Sequence, residues 1–170
     1  MATLFIGIGA NLQPARHVRQ GVAALAEVVT VTGISTVYRT PPLGGHAGPD
    51  FYNLVITAET ALPPRAVKAA LRALEAAAGR VRAVDAHAPR PLDLDLLLYD
   101  MLVCVEDGLL LPDPEIYTRP FLAHPLCELA PALVLPDTGR RVCDVAAALP
   151  RDAMRPLPAY TAALRALLPT

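Results

Sequence analysis

The chain has 170 residues, enough for a single core that buries about two-thirds of the surface the unfolded chain exposes, and its net charge of −1 argues against a general nucleic-acid-binding surface. Its composition is 54% hydrophobic, yet no uninterrupted apolar run approaches the roughly 20 residues that span a bilayer, and the N-terminus lacks the basic region and cleavage site of a secretory signal. The reading is one soluble, cytoplasmic domain over 1–170 with a small-molecule partner, in which Cys104, Cys127 and Cys143, lacking C-x-x-C spacing, are small buried hydrophobes rather than a zinc site or a disulfide framework.

Residues 3–9 form a short apolar strand pattern ending in Gly7-Ile8-Gly9, and Asn11, Leu12 and Pro14 lead into a helix whose Val18, Val22, Leu25 and Val29 recur at helical spacing. Residues 29–38 are dense in β-branched side chains, the proline- and glycine-rich stretch 40–49 is a loop, and 52–60 is the next strand. Pro63 and Pro64 open a second helix with a stripe of Val67, Ala70, Leu71, Leu74 and Ala78, which Gly79 ends. After an irregular loop over 80–91 comes a strand at 92–99. Two short apolar pieces, 102–105 and 109–111, then flank Glu106-Asp107-Gly108 as a hairpin. Residues 117–129 look helical despite Pro120 and Pro125, and short helices are expected at 142–148 and 160–168. Strands and helices intermixed in this way favour an α+β sandwich over a doubly wound parallel sheet.

The sharpest chemical signal is Arg90-Pro91-Leu92-Asp93-Leu94-Asp95-Leu96. Residues two apart on a strand share a face, so Asp93 and Asp95 project together while Leu92, Leu94 and Leu96 project to the other side. Two unit charges about 7 Å apart repel by roughly 2.4 kcal/mol at an effective dielectric of 20, so a compensating cation is expected. Oxygen ligands on a rigid strand suit magnesium, which takes its remaining ligands from water and substrate phosphates. Arg80, Arg82 and Arg90 stand just before the pair, the mixture of cations and carboxylates that a magnesium–ATP complex needs, and Arg119 joins them from the later helix. No Walker-type phosphate loop is present, and no nucleophilic serine or cysteine has a base beside it in sequence, so direct in-line transfer is favoured over a covalent intermediate.

Taken together, these segments resemble the 6-hydroxymethyl-7,8-dihydropterin pyrophosphokinases. The matching pieces are Gly7-Ile8-Gly9-Ala10-Asn11-Leu12, Tyr38-Arg39-Thr40-Pro41-Pro42-Leu43-Gly44, Phe51-Tyr52-Asn53, Gly79-Arg80-Val81-Arg82, Pro89-Arg90-Pro91-Leu92-Asp93-Leu94-Asp95, Arg119-Pro120-Phe121 and Pro125-Leu126, in family order over about 3–137. The resemblance implies a ferredoxin-like α+β sandwich, an antiparallel sheet flanked by helices, with a C-terminal helical extension over 138–170. It implies transfer of pyrophosphate from ATP to the pterin hydroxyl in folate biosynthesis, giving AMP and the pterin diphosphate. Asp93 and Asp95 would hold two Mg2+ ions; Arg80 and Arg90 would act catalytically; Arg80, Arg82, Arg90 and Arg119 would bind ATP. Thr40, Pro41, Leu43, Phe51, Asn53 and Phe121 would bind the pterin. Glu75 and Asn11 also occupy family positions, although Glu75 reads equally as a surface partner of Arg72.

Several positions depart from the family pattern. Ala86-His87 replaces an arginine–tryptophan pair, Asp113 stands where a proline–histidine pair is usual, Gly108 takes the place of a phosphate-side cation, and Phe51 replaces a tyrosine. These departures motivate a rival reading as a non-catalytic or weakly active pterin- or nucleotide-binding relative. A rival of another class is a ferredoxin-like interaction module with a merely solvated aspartate pair. The expectation remains a monomeric enzyme whose loops at 44–50 and 80–91 move over the substrates.

Overall fold

The first strand sits at the centre of everything else. In the structure, a computed structural model that describes residues 1–79 and 90–170, β1 (Ala2–Ala10) is flanked on one side by β5 (Asp93–Tyr99) and on the other by β4 (Phe51–Thr60), both antiparallel. The far edge of β4 carries two short strands in succession, β2 (Thr30–Ile34) and β3 (Tyr38–Thr40), and β8 (Arg155–Pro156) extends the sheet beyond β3. The chain order β-α-β-β-α-β with all neighbours antiparallel is the ferredoxin-like sandwich expected from the sequence.

Both faces of β1 are apolar because both are covered. On one face Ile6, Ile8, Leu54, Ile56, Leu92, Leu94 and Leu96 pack against α1 (Pro14–Ala26) and α2 (Pro64–Ala77) through Val18, Val22, Leu25, Val67 and Leu71. On the other, Phe5, Val55, Leu97 and Leu98 pack against α3 (Pro120–Leu129) and α4 (Val142–Ala147). Each fully buried leucine or isoleucine contributes about 1.5–3 kcal/mol, so Leu94 and Leu96 of β5, with Leu92 just before it, outweigh the repulsion between the two aspartates of the strand.

Helices begin where proline supplies a preset φ and its absent N–H is no loss: Pro14, Pro64, Pro120 and Pro158 each open one. Gly79 follows α2 with φ +90, the left-handed conformation glycine adopts freely. The helical reading of 117–129 is corrected at its start, since 114–117 form a 3-10 turn and α3 begins at Pro120, tolerating Pro125 in its interior. The β-branched run over 29–38 is two strands separated at 35–37. The hairpin is present as β6 (Cys104–Glu106) and β7 (Leu109–Leu111). Beyond it, α5 (Pro158–Arg165) was anticipated in part, whereas β8, two residues long, carries no readable pattern.

The cysteine reading is also corrected. Cys127 of α3 and Cys143 of α4 form a disulfide, with Cα atoms 4.9 Å apart, and Cys104 remains free. Sixteen residues separate the pair in sequence, and only the packing of α3 on α4 brings them together. Among the described residues no helix is long and apolar enough to cross a membrane.

Candidate active site

Direct cross-strand partners share a sheet face, and this places the chemistry. Asp93 lies opposite Gly9, Gly9 opposite Asn53, and Asn53 opposite Tyr38, while Asp95 lies opposite Gly7 and Thr40 opposite Phe51. One face therefore carries both aspartates, Asn53, Phe51 and Thr40, and the two glycines form its floor. A Cβ on Gly9 would stand 2.7 Å from Oδ1 of Asn53, and one on Gly7 3.1 Å from a methyl of Leu122. The Gly7-Ile8-Gly9 motif thus serves close approach of the Asn53 amide and of α3, not a dinucleotide.

Both carboxylates are partly buried. Nη1 of Arg90 donates to Oδ2 of Asp93 at 3.1 Å, with both side chains about three-quarters covered (22% and 24% exposed). Burial pushes the Asp95 carboxyl up from 3.8 to about 7, and the charges of Asp93, Asp113, Glu115 and Glu75 add to the shift. Asp113, the departure noted in the sequence, also has a raised pKa: burial raises it most, the Glu115 N–H that its side chain caps opposes this, and Lys68 opposes it too. The extra carboxylate accordingly belongs to the same electrostatic cluster as Asp95.

Two residues frame this cluster that the sequence did not single out as site residues. Glu75 is buried at 5% exposure and its Oε1 accepts from the Leu94 N–H at 2.8 Å, which corrects its reading as a surface partner of Arg72. It satisfies an outward-facing donor of edge strand β5 between the two aspartates. Asn11, 3% exposed, accepts from the Arg90 N–H through Oδ1 at 2.7 Å, while its own N–H donates to the Arg90 carbonyl. Its amide also reaches the Pro49 carbonyl at 3.5 Å, joining the end of β1 to the loop over 44–50. The only signal for either in the sequence was its family position.

Of the residues read as pterin ligands, Thr40 and Asn53 are brought together, the Asn53 amide donating to Oγ1 of Thr40 at 2.8 Å in a buried contact. Phe51 is half-buried on the same face. Pro41 and Leu43 lie on the exposed connector that follows β3. Phe121, the second residue of α3, is partly buried against the α3-side core. Arg119 immediately precedes α3; its guanidinium lies 3.7 Å from Glu115, and its Nε is buried with no hydrogen-bond partner among the described residues. Arg80, Arg82, Ala86 and His87 lie outside the described residues. Beside the cluster, a cleft of about 540 Å3 opens between α2 and the β6–β7 hairpin, lined by Arg65, Lys68, Ala69, Arg72, Asp107, Gly108 and Leu109.

The statistical model of one family, 7,8-dihydro-6-hydroxymethylpterin-pyrophosphokinase, matches residues 5–131. A 2-amino-4-hydroxy-6-hydroxymethyldihydropteridine pyrophosphokinase of Pseudomonas aeruginosa is 34% identical over 158 residues, covering 91% of this chain and 96% of that one. Its counterpart in Bacillus subtilis is 34% identical over 128 residues, covering 74% and 76%. Among solved structures, Plasmodium falciparum HPPK-DHPS superposes with a TM-score of 0.66 at 11% identity, over 87% of this chain and 43% of that one, which supports the fold. This chain spans less than half the length of that polypeptide. These matches favour neither a non-catalytic relative nor an interaction module. With the order of motifs and the antiparallel sandwich in agreement, the chain belongs to the 7,8-dihydro-6-hydroxymethylpterin-pyrophosphokinase family.

Proposed function

We propose that the chain transfers the pyrophosphoryl group of ATP to the hydroxyl of 6-hydroxymethyl-7,8-dihydropterin, a step of folate biosynthesis. The hydroxyl oxygen, releasing its proton to solvent, forms a bond to the β-phosphorus as the bond from that phosphorus to the bridging oxygen of the α-phosphate breaks, and AMP leaves with that oxygen. The observation that carries this reading is the partly buried pair Asp93 and Asp95, with Arg90 on Asp93, on the same sheet face as Asn53 and Thr40.

Magnesium is the metal of the reading, as two ions held by Asp93 and Asp95. Among the described residues no group of three or more His, Cys, Asp and Glu side chains is placed to hold a metal ion. Two carboxylates would hold such a cation while substrate phosphates and water fill its other positions. The donors fit as well, being oxygen only and mutually repelling, so that Asp95 keeps its proton up to about 7 in the absence of an offsetting charge. When bound, the metal supplies neutralisation of phosphate charge during transfer.

The chain's own groups do the rest. Arg90 holds Asp93 in place and presents its fork to phosphate, and the Nε of Arg119, buried and without a hydrogen-bond partner among the described residues, is a donor suited to an anion. Arg80 and Arg82 belong to the ATP set through the family resemblance. Lys68 and Arg72, on the cleft wall, add positive charge on the nucleotide side, where Nη2 of Arg72 lies 3.9 Å from the place a Gly108 Cβ would take. The departure at Gly108 is thereby met from α2. Asn53, Thr40 and backbone groups at Pro41 and Leu43 bind the pterin edge, and Phe51 and Phe121 cover its faces. Closure of the loop over 44–50 keeps water from the transfer. The enzyme acts as a monomer in the cytoplasm, where ATP is supplied.

The test is AMP release from ATP and magnesium, with and without the pterin, by the wild type and Asp95→Ala. Pterin-dependent AMP that falls by at least about 10²-fold in the variant supports the reading, at the scale expected for loss of a metal-binding carboxylate. A folded wild type that releases none defeats it.

A further inference from the structure

The family match ends at residue 131, so α4, β8 and α5 lie beyond it. α4 packs on α3, whereas the contacts of β8, α5 and Arg151 converge on one place, the break between β2 and β3. There Ser35 alone continues the pairing with β4, its N–H donating to the Val55 carbonyl and its Oγ accepting from the Val55 N–H. The Thr36 N–H donates to Oε1 of Glu128 on α3 at 2.9 Å, and the backbone groups of Ile34 and Val37 turn to the C-terminal segment. The Val37 N–H donates to Oγ1 of Thr161 at 2.9 Å in a buried contact, and the Val37 carbonyl accepts from the Leu157 N–H at 2.9 Å. The Ile34 carbonyl accepts from Nε of Arg165 at 3.0 Å. β8 then pairs with β3, Tyr38 opposite Pro156 and Arg39 opposite Arg155. Arg151 donates to the Tyr38 hydroxyl at 3.1 Å and places its guanidinium 5.9 Å from the ring centroid.

What this grip holds is the pterin end of the site. Tyr38 is the register partner of Asn53, and Thr40, two residues on, accepts the Asn53 amide. β3 has only three residues, too few to fix its own register, and a slip of one residue would turn Thr40 to the opposite face. A second contact reaches β4 directly, where the Tyr160 ring of α5 meets Tyr52 edge-on at 5.3 Å, between Phe51 and Asn53 in sequence.

We propose that the C-terminal segment positions the pterin-binding strand β3, with Thr161 and Arg151 as positioning residues that touch neither substrate. The proposal rests on the assignment of Thr40 and Asn53 to the pterin. It separates the two substrates energetically, because two strands, β1 and β4, lie between β3 and the carboxylates of β5.

The experiment compares steady-state AMP release and pterin binding by fluorescence titration in the wild type, Thr161→Val, Thr161→Ser and Arg151→Met. Thr161→Val keeps the shape and loses the hydroxyl, while the serine variant restores it. The expected result is a rise of about tenfold in the KM and Kd for pterin in Thr161→Val and Arg151→Met, with the KM for ATP within about twofold and near-normal values in Thr161→Ser. A lowered melting temperature with unchanged pterin constants overturns the proposal, as does an equal rise in both KM values. If the wild type binds pterin without releasing AMP, the reading of the reaction falls, and the Kd series alone decides the positioning role.

Discussion

Asp95 shows how a single side chain can sit at odds with its own fold. Its carboxyl is raised to about 7 by burial and by four neighbouring carboxylates. A group raised in the folded state contributes stability that is complete below the unfolded value of 3.8 and is lost as pH rises through about 7. Asp95→Asn removes that loss. The ligand-free variant should match the wild type near pH 4 and exceed its stability by on the order of 2–4 kcal/mol at pH 8, read from denaturant unfolding across that range. A difference independent of pH would show that Asp95 is not strained in the free protein. The same variant should release no AMP, because a neutral amide neither draws in a divalent cation nor offsets its charge. Stability and activity part company at this residue, as they do where a site is organised for a charge the free protein lacks.

At the scale of elements, the partnership of α2 with β5 decides how firmly the carboxylates are presented. β5 is an edge of the sheet, and edge strands leave backbone donors unpaired. Glu75 of α2 accepts the Leu94 N–H, and the Asp113 N–H donates to the Leu97 carbonyl, so the outward side of β5 is satisfied by its neighbours in space. Glu75→Leu leaves a buried donor unpaired and should cost about 1–3 kcal/mol, lowering the melting temperature by about 3–9 °C. Glu75→Gln keeps an acceptor and should lose less than half as much in the same thermal scan. Equal losses would mean that the charge of Glu75, not its acceptor, matters. α2 itself was legible in the sequence, because Val67 and Leu71 recur at helical spacing. The fate of Glu75 was not, since its position next to the apolar stripe fits either a surface pair or a buried acceptor until β5 is laid against it.

For the whole molecule, the C-terminal segment adds to both sides of the sheet: α4 packs beside α3 and is stapled to it, while Leu164 of α5 joins the α1–α2 core. The disulfide between Cys127 and Cys143 closes a short loop, and a cross-link of that length restricts the unfolded chain by about 3 kcal/mol. Protein purified in air and unfolded without reductant should show one reactive thiol, Cys104, against three after reduction, and reduction should lower the melting temperature by about 6–12 °C. Three thiols without reductant would show that the pair stays reduced, the state that cytosolic thiols favour.

The sequence by itself determined the features that depend on near neighbours. The two-residue period of 92–96 set the aspartates on one face and the leucines on the other, the 3.6-residue period set α1 and α2, and prolines marked the starts of those two helices. The family motifs in order implied the sandwich and the residues around Thr40, Asn53, Arg90 and Phe121. Tertiary structure alone decided the rest: the burial of Glu75 and Asn11, the pairing of Cys127 with Cys143, the approach of Asn53 over Gly9, and the grip of Arg151 and Thr161 on β3. Each of these joins residues from different elements, and a periodicity carried by one element holds no record of what another will bring against it. Backbone donors and acceptors left over at a strand edge or a strand break must find partners, and which partners they find is settled only when the layers pack.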